Sequence, residues 1–283
     1  MSNTYISIPI QQTQVTDDLR EKYIHNSPYP HIAIDNFLNA EIIEKVLADF
    51  PAVHDQGWIH YLHFNERKHG LNKKDLLPDS AKSLISELNS PDFIAFLEKI
   101  TGIPNLKADD SMEGGGLHQS VRGGFLNIHA DFTVHPHKKH WQRRVNILIY
   151  LNKDWQEDYG GHLELWSRDM KRCEEKVLPI FNRCVIFNTD ADSFHGHPEP
   201  LNCPADMTRK SVALYYFTEE KEIAIKHATN YKPRPGERFK GIFIYLDKKM
   251  IATYSFLKGV LGLDDSFASN FLNKITKVFK LKK

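Results

Sequence analysis

Over roughly the first hundred residues apolar positions recur every three to four residues, and beyond about residue 115 they recur every second residue. The first period belongs to helices packed by one face, the second to strands with alternate side chains buried. Ile42, Ile43, Val46, Leu47 and Phe50 predict a helix over 38–50, with Asn39 as its cap and Pro51 beyond its end. A second helix is expected over 80–88, capped by Asp79 or Ser80. A third is expected over 91–101, with Phe93, Phe96, Leu97 and Ile100 on one face. Residues 1–30 are polar and weakly patterned, Pro28-Tyr29-Pro30 favours extended backbone, and 31–34 reads as a short strand. Residues 53–78, rich in His, Asn, Lys and Gly, read as a long loop.

The period-two region predicts strands over 124–129, 145–151, 162–166, 177–178, 183–188 and 210–219. Short strands separated by Gly, Pro, Asn and Asp suggest a sandwich or barrel, and a double-sheet jelly roll is the member of that group that often carries a metal in its mouth. After residue 220 the pattern changes again. A loop at 231–237 precedes a short strand at 241–245, a helix over 248–260 and a last helix from about 265, with Phe267, Phe271, Ile275, Val278 and Phe279 along one stripe. The expected class is α+β, mainly β. A double-stranded β-helix (jelly-roll) core over about 115–220 sits with its N-terminal buttressing helices in a domain spanning 1–220, followed by a helical extension over 221–283.

Composition narrows the setting. The 283 residues carry 37 Lys and Arg against 36 Asp and Glu, a balance that by itself suggests no nucleic-acid partner. The charge is uneven, however: residues 221–283 hold 14 Lys and Arg against 5 Asp and Glu. That basic tail could contact an anionic surface or a second copy in a homodimer, although a solvated helix face explains it as simply. Three cysteines are too few for a disulfide framework and fit a reducing, cytoplasmic setting. Neither a secretory signal nor an apolar run long enough for a transmembrane segment is visible.

The chemistry concentrates between residues 118 and 209. His129 and Asp131 are two apart, so on a strand they share a face and can bind one ion side by side. A third ligand could come from His195 or His197, placed after the strand at 183–188 in a short polar turn. Two histidines and one carboxylate form the ligand set of non-haem Fe(II) oxygenases, though zinc could take the same ligands. His135, His137 and His140 crowd the loop after Asp131; His135-Pro136-His137 could line a substrate entrance, with simple solvation as the alternative. Arg209 shares a strand face with Ser211, Ala213 and Tyr215, and no carboxylate alternates with it. A buried guanidinium there would be matched by a bound dicarboxylate, whereas an exposed position or a protein carboxylate would explain it equally well.

Together these pieces resemble the Fe(II)/2-oxoglutarate-dependent dioxygenases of the prolyl-4-hydroxylase-like group. The resemblance rests on His129-Ala130-Asp131, on 150–155 (Tyr-Leu-Asn-Lys-Asp-Trp) followed by 160–165, on Phe194-His195-Gly196, and on Arg209 followed by 211–217. It covers about residues 115–220 and, more loosely, 30–38. It implies His129, Asp131 and His195 as metal ligands, with His197 as the alternative distal ligand. It implies Arg209, joined by Tyr150, as the clamp on the distal carboxylate of 2-oxoglutarate, although core packing would also explain Tyr150. The implied cofactors are Fe(II) and 2-oxoglutarate, with ascorbate as accessory reductant, and the implied partners are O2 and an organic or peptidyl substrate. The implied reaction is hydroxylation of an unactivated C–H bond with release of succinate and CO2. Asp131 matters here, because halogenating relatives replace that carboxylate with a small residue. The 13 residues between His195 and Arg209 exceed the gap in the oxygen-sensing relatives, and the turn from Pro198 to Pro204 can absorb the excess. The competing readings are a metal-free jelly-roll binding module and a cupin-like metal isomerase or lyase. The segment 57–77, with Trp58, Tyr61 and Phe64, is a candidate substrate lid, or else a plain surface loop.

Overall fold

The computed structural model describes residues 5–222, 227–237, 241–244 and 246. In chain order these form α1 (Thr13–His25), β1 (His31–Ile34), α2 (Ala40–Ala48), β2 (Ile59–His63), β3 (Glu66–Leu71), α3 (Asp79–Leu88), α4 (Pro91–Thr101), β4 (Lys107–Ala108), β5 (Gly116–Val121), β6 (Phe125–Ala130), β7 (Trp141–Tyr150), β8 (Leu163–Trp166), β9 (Cys173–Val177), β10 (Cys184–Asn188), β11 (His195–His197), β12 (Thr208–Glu219) and β13 (Asn230–Tyr231).

The strands make two antiparallel runs, β1-β10-β7-β12-β5 and β6-β11-β8-β9. From β5 to β12 the chain passes back and forth between them, which is the path of a jelly roll. β3 joins the runs into a nearly closed barrel. Its residues His69, Gly70 and Leu71 pair with β5, while Glu66 and Arg67 pair with β6.

The second half of β7 is apolar on both faces because both are covered. Ile147 and Ile149 point outward into a core shared with Ile186, Val212, Leu214 and Tyr216, packed under the helices through Ile43, Leu84, Phe93 and Leu97. Leu148 and Tyr150 point the other way, to Leu163, Leu165, Val185 and Phe187 inside the barrel. α4 is fixed at both ends: Ser90 Oγ accepts from the Phe93 amide at 3.2 Å, and Gly102 closes it with φ +71°. Asn39 stands at the N-cap of α2, whereas Pro78 precedes α3, so neither Asp79 nor Ser80 caps that helix.

Four expectations need correction. α1 lies within a stretch that gave no helical signal, because it buries little more than Thr16 and Tyr23; Tyr23 anchors it by donating to Asn188 Oδ1 at 2.6 Å. The expected loop over 53–78 contains the hairpin β2–β3, so 57–77 is built into the sheet and is not a detached lid. His195 and His197 lie on a strand, not on a loop. Residues 241–244 are helical, not a strand. The helices expected over 248–260 and from 265 fall outside the described residues, as does most of the basic extension. Among the described residues no helix is long and apolar enough to cross a membrane.

Candidate active site

β6 and β11 are neighbours, and their register sets His129 directly opposite His195. Gly196 lets the strands come this close, since a Cβ there would stand 2.7 Å from the Leu126 carbonyl oxygen. Asp131 follows the end of β6. One ligand atom each from His129, Asp131 and His195 lies within 4.8 Å of the others, a group able to hold a metal ion. His129 Nε2 is 3.4 Å from Asp131 Oδ1, and His195 Nε2 is 3.4 Å from Asp131 Oδ2.

The surrounding bonds aim these atoms. His129 Nδ1–H donates to the Asn127 carbonyl and His195 Nδ1–H to the Ser193 carbonyl, both at 2.9 Å. Each imidazole therefore presents its Nε2 lone pair toward Asp131, as a metal-binding histidine must. Asn146 donates to Asp131 Oδ2 at 2.8 Å, and Arg143 Nη2 lies 2.9 Å from the same oxygen. Arg143 is itself held between Phe132 and Tyr215, 4.7 and 3.3 Å from their ring centroids. Burial would raise the Asp131 pKa, but the Arg143 guanidinium and then His195 outweigh it and hold the carboxyl well below the usual range. Burial, opposed by Asp131, also lowers His195 and favours its neutral form.

A cavity of about 620 Å3, counting its open mouth, joins this triad to Arg209 and is walled in part by Leu126, Leu148, Leu163 and Phe187. Arg209 Nε donates to the Gly161 carbonyl at 2.7 Å, and Nη2 to Tyr150 Oη at 3.3 Å. Gly161 has φ +72°, and a Cβ there would meet the Arg209 side chain at 2.9 Å. Among the described residues no carboxylate pairs with Arg209, although it is buried. The donor set suits Fe(II), and the guanidinium without a counter-ion suits a carboxylate guest.

A family model described as the 2OG-Fe(II) oxygenase superfamily matches residues 115–217, the stretch from β5 to β12 that builds this cavity. Over this stretch the chain is similar to the 2OG-Fe(II) oxygenases of the prolyl-4-hydroxylase-like type. The prolyl 3-hydroxylase OGFOD1 of Mus musculus is 25% identical to this chain over 202 residues, covering 67% of this chain and 33% of the relative. The chain thus spans about a third of that relative's length. Two solved structures share this fold. One is a Pseudomonas putida prolyl-4-hydroxylase, at 15% identity and TM-score 0.51, covering 71% of this chain and 99% of that one. The other is a prolyl hydroxylase of Trichoplax adhaerens, in complex with a hypoxia inducible factor peptide, at 20% identity and TM-score 0.52, covering 75% and 94%.

The cavity thus brings together His129, Asp131, His195, His197 and Arg209, with Tyr150 against Arg209. His197 lies outside the metal-competent group. His135 leaves the set of candidates: it is buried, its Nε2 is 3.2 Å from Asp109 Oδ1, and its Nδ1 accepts from the His137 and Lys138 amides, so it ties down its own loop. Lys68, on β3, also lines the cavity, though the sequence reading did not single it out. Its ammonium meets Glu66 at 3.1 Å, and Glu66 is also bonded by His63 at 2.8 Å and by the Tyr231 hydroxyl at 3.2 Å. Burial works against the charge on Lys68, but Glu66 outweighs it and lifts the pKa above the ordinary lysine range. The polar alternation Glu66, Lys68 was the available signal for a strand facing a polar interior. Arg143 and Asn146 were also missed; they sit among the apolar residues of β7, where a polar side chain at an interior position needs a partner.

Proposed function

We propose that this chain is an Fe(II)- and 2-oxoglutarate-dependent dioxygenase that hydroxylates an unactivated C–H bond of its substrate and releases succinate and CO2. The observation that carries the reading is one cavity shared by a metal-competent His-Asp-His triad and a buried guanidinium without a carboxylate partner. A bare binding module has no use for that pairing, and a cupin-like isomerase has no use for the guanidinium.

His129, Asp131 and His195 would hold the iron, and Arg209 with Tyr150 the distal carboxylate of 2-oxoglutarate. Bound iron supplies the oxidative chemistry with O2. The protein's own contribution is orientation. The Asn127 and Ser193 carbonyls keep both Nε2 lone pairs facing inward, and Arg143 and Asn146 fix one oxygen of Asp131. Gly161 steadies Arg209 while its remaining N–H groups stay available to a carboxylate. Leu126, Leu148, Leu163 and Phe187 exclude water from the reacting end. The carboxylate at position 131 favours hydroxylation over halogenation.

The name of the mouse relative makes peptidyl proline the first substrate class to test, ahead of other side chains, free amino acids and glycans. We assign ascorbate as accessory reductant. Three free cysteines, Cys173, Cys184 and Cys203, support a reducing, cytoplasmic setting. The basic residues beyond 220 support contact with an anionic surface or a second copy on charge alone. The test is anaerobic addition of Fe(II) and 2-oxoglutarate, read as a weak visible charge-transfer band, followed by succinate release against a prolyl-peptide library. Asp131→Ala should lose both signals, and full activity in that variant would overturn the assignment.

A further inference from the structure

We propose that His197 is a positioning residue that donates its Nε2–H to the distal carboxylate of 2-oxoglutarate, beside Arg209; this rests on the oxygenase reading above. Its environment differs from that of the two other cavity histidines on β6 and β11. His129 and His195 each give the Nδ1 proton to a carbonyl, which frees Nε2 as a lone pair. The Nδ1 of His197 is buried and finds no partner. A proton there would be stranded at the full desolvation cost of an unmade hydrogen bond. The proton therefore resides on Nε2, the polar edge the ring offers to the cavity it lines. A histidine arranged in this way is a donor, not a metal ligand.

Position agrees with chemistry. His195 is opposite His129, whereas His197 is opposite Leu126, two strand residues or about 7 Å further along the barrel. That separation is comparable to the length of a five-carbon diacid, so a ligand chelated at His195 brings its far end to His197. Arg209, which has no carboxylate partner among the described residues, lines the same cavity as His197, as does Lys68, itself paired with Glu66. Such surroundings oppose a metal ion and gather an anion.

The experiment compares wild type with His197→Phe, which removes the donor, and His197→Gln, which restores an N–H near Nε2. The Kd of N-oxalylglycine, an unreactive analogue of 2-oxoglutarate, is measured by calorimetry on Mn(II)-loaded protein, alongside the Kd of Mn(II) alone. His197→Phe should weaken N-oxalylglycine about ten-fold or more. It should leave the Mn(II) Kd within about two-fold, and His197→Gln should recover most of the loss. Unchanged N-oxalylglycine binding in His197→Phe, or loss of Mn(II) binding, overturns the proposal. Should His197→Phe fail to fold, nitrogen-15 histidine spectra of the metal-free wild type decide. They should show an Nε2–H tautomer for His197 whose proton shifts when N-oxalylglycine is added with Zn(II); an Nδ1–H tautomer overturns the proposal. If wild type and Arg209→Met bind N-oxalylglycine equally, the 2-oxoglutarate reading itself has failed, a separate outcome.

Discussion

Arg209→Met should make the empty protein more stable and the ligand-bound protein weaker. Arg209 is 7% exposed, and among the described residues its guanidinium hydrogen-bonds only the Gly161 carbonyl and the Tyr150 hydroxyl. Deleting those bonds costs about 1 kcal/mol each. Removing a buried ion with no counter-ion relieves several kcal/mol of desolvation. The difference favours methionine by about 1–2 kcal/mol, a rise in Tm of roughly 2–8 °C for a chain of this size. The ligand side has the opposite sign. Two charge-assisted hydrogen bonds to a carboxylate contribute about 3–5 kcal/mol, so Kd for 2-oxoglutarate should rise by roughly 10²–10³-fold or more. At a concentration 100 times its Kd, 2-oxoglutarate should stabilise Mn(II)-loaded wild type by about 2.7 kcal/mol. The variant should show almost none of this. Thermal melts of both proteins, with and without 2-oxoglutarate, read all four states. An equal ligand-induced rise in the variant, or a metal-free variant melting well below wild type, would refute the reasoning.

Three further outcomes are expected. Asn146→Ala removes a 2.8 Å donor to Asp131, so metal affinity in a chelator competition should fall about 10–100-fold; an unchanged affinity would show that Arg143 alone holds the carboxylate. Glu66→Ala strips the buried Lys68 ammonium of its partner and should cost about 3 kcal/mol in urea denaturation, whereas a loss below about 1 kcal/mol would mean that water replaces Glu66. The pKa of His118 is pushed down to about 3 by burial and then by Lys68, although Glu66 opposes them. Between that value and the ordinary 6.5 the unfolded chain binds a proton that the folded chain refuses. The contribution of His118 is therefore complete above about pH 6.5 and is lost as pH falls toward 3. The Tm of chelator-treated protein should decline over that window, and less steeply in His118→Gln; parallel profiles would show that His118 is not responsible.

The parts legible in the sequence were those where one physical rule dominated. Helices such as α4 showed a stripe, a cap and a stop, and the buried strands β7, β10 and β12 showed apolar runs. The His-x-Asp pair and the arginine were legible from residue type and spacing, although Asp131 lies one residue beyond the end of β6. Other parts needed the assembled barrel. β11 is three residues long and contains Gly196, so it carries too little pattern to read as a strand. β2–β3 looked like a loop because its polar residues answer to each other and to the cavity: His60 to His69 at 2.7 Å, and Glu66 to His63 and Lys68. α1 is held by few buried side chains, and its anchor, Tyr23, bonds a residue 165 positions away.

The pairing of His129 with His195 joins two halves of the chain that are 66 positions apart, and it exists only once β6 and β11 lie side by side. An unfolded chain offers scattered imidazoles in place of a preformed claw. Iron held by this triad would be thermodynamically linked to closure of the barrel, and chelation strength would gauge how firmly that seam is zipped. Damage anywhere along the seam, even at Gly196, should surface first as leaking metal and only later as a lower melting point.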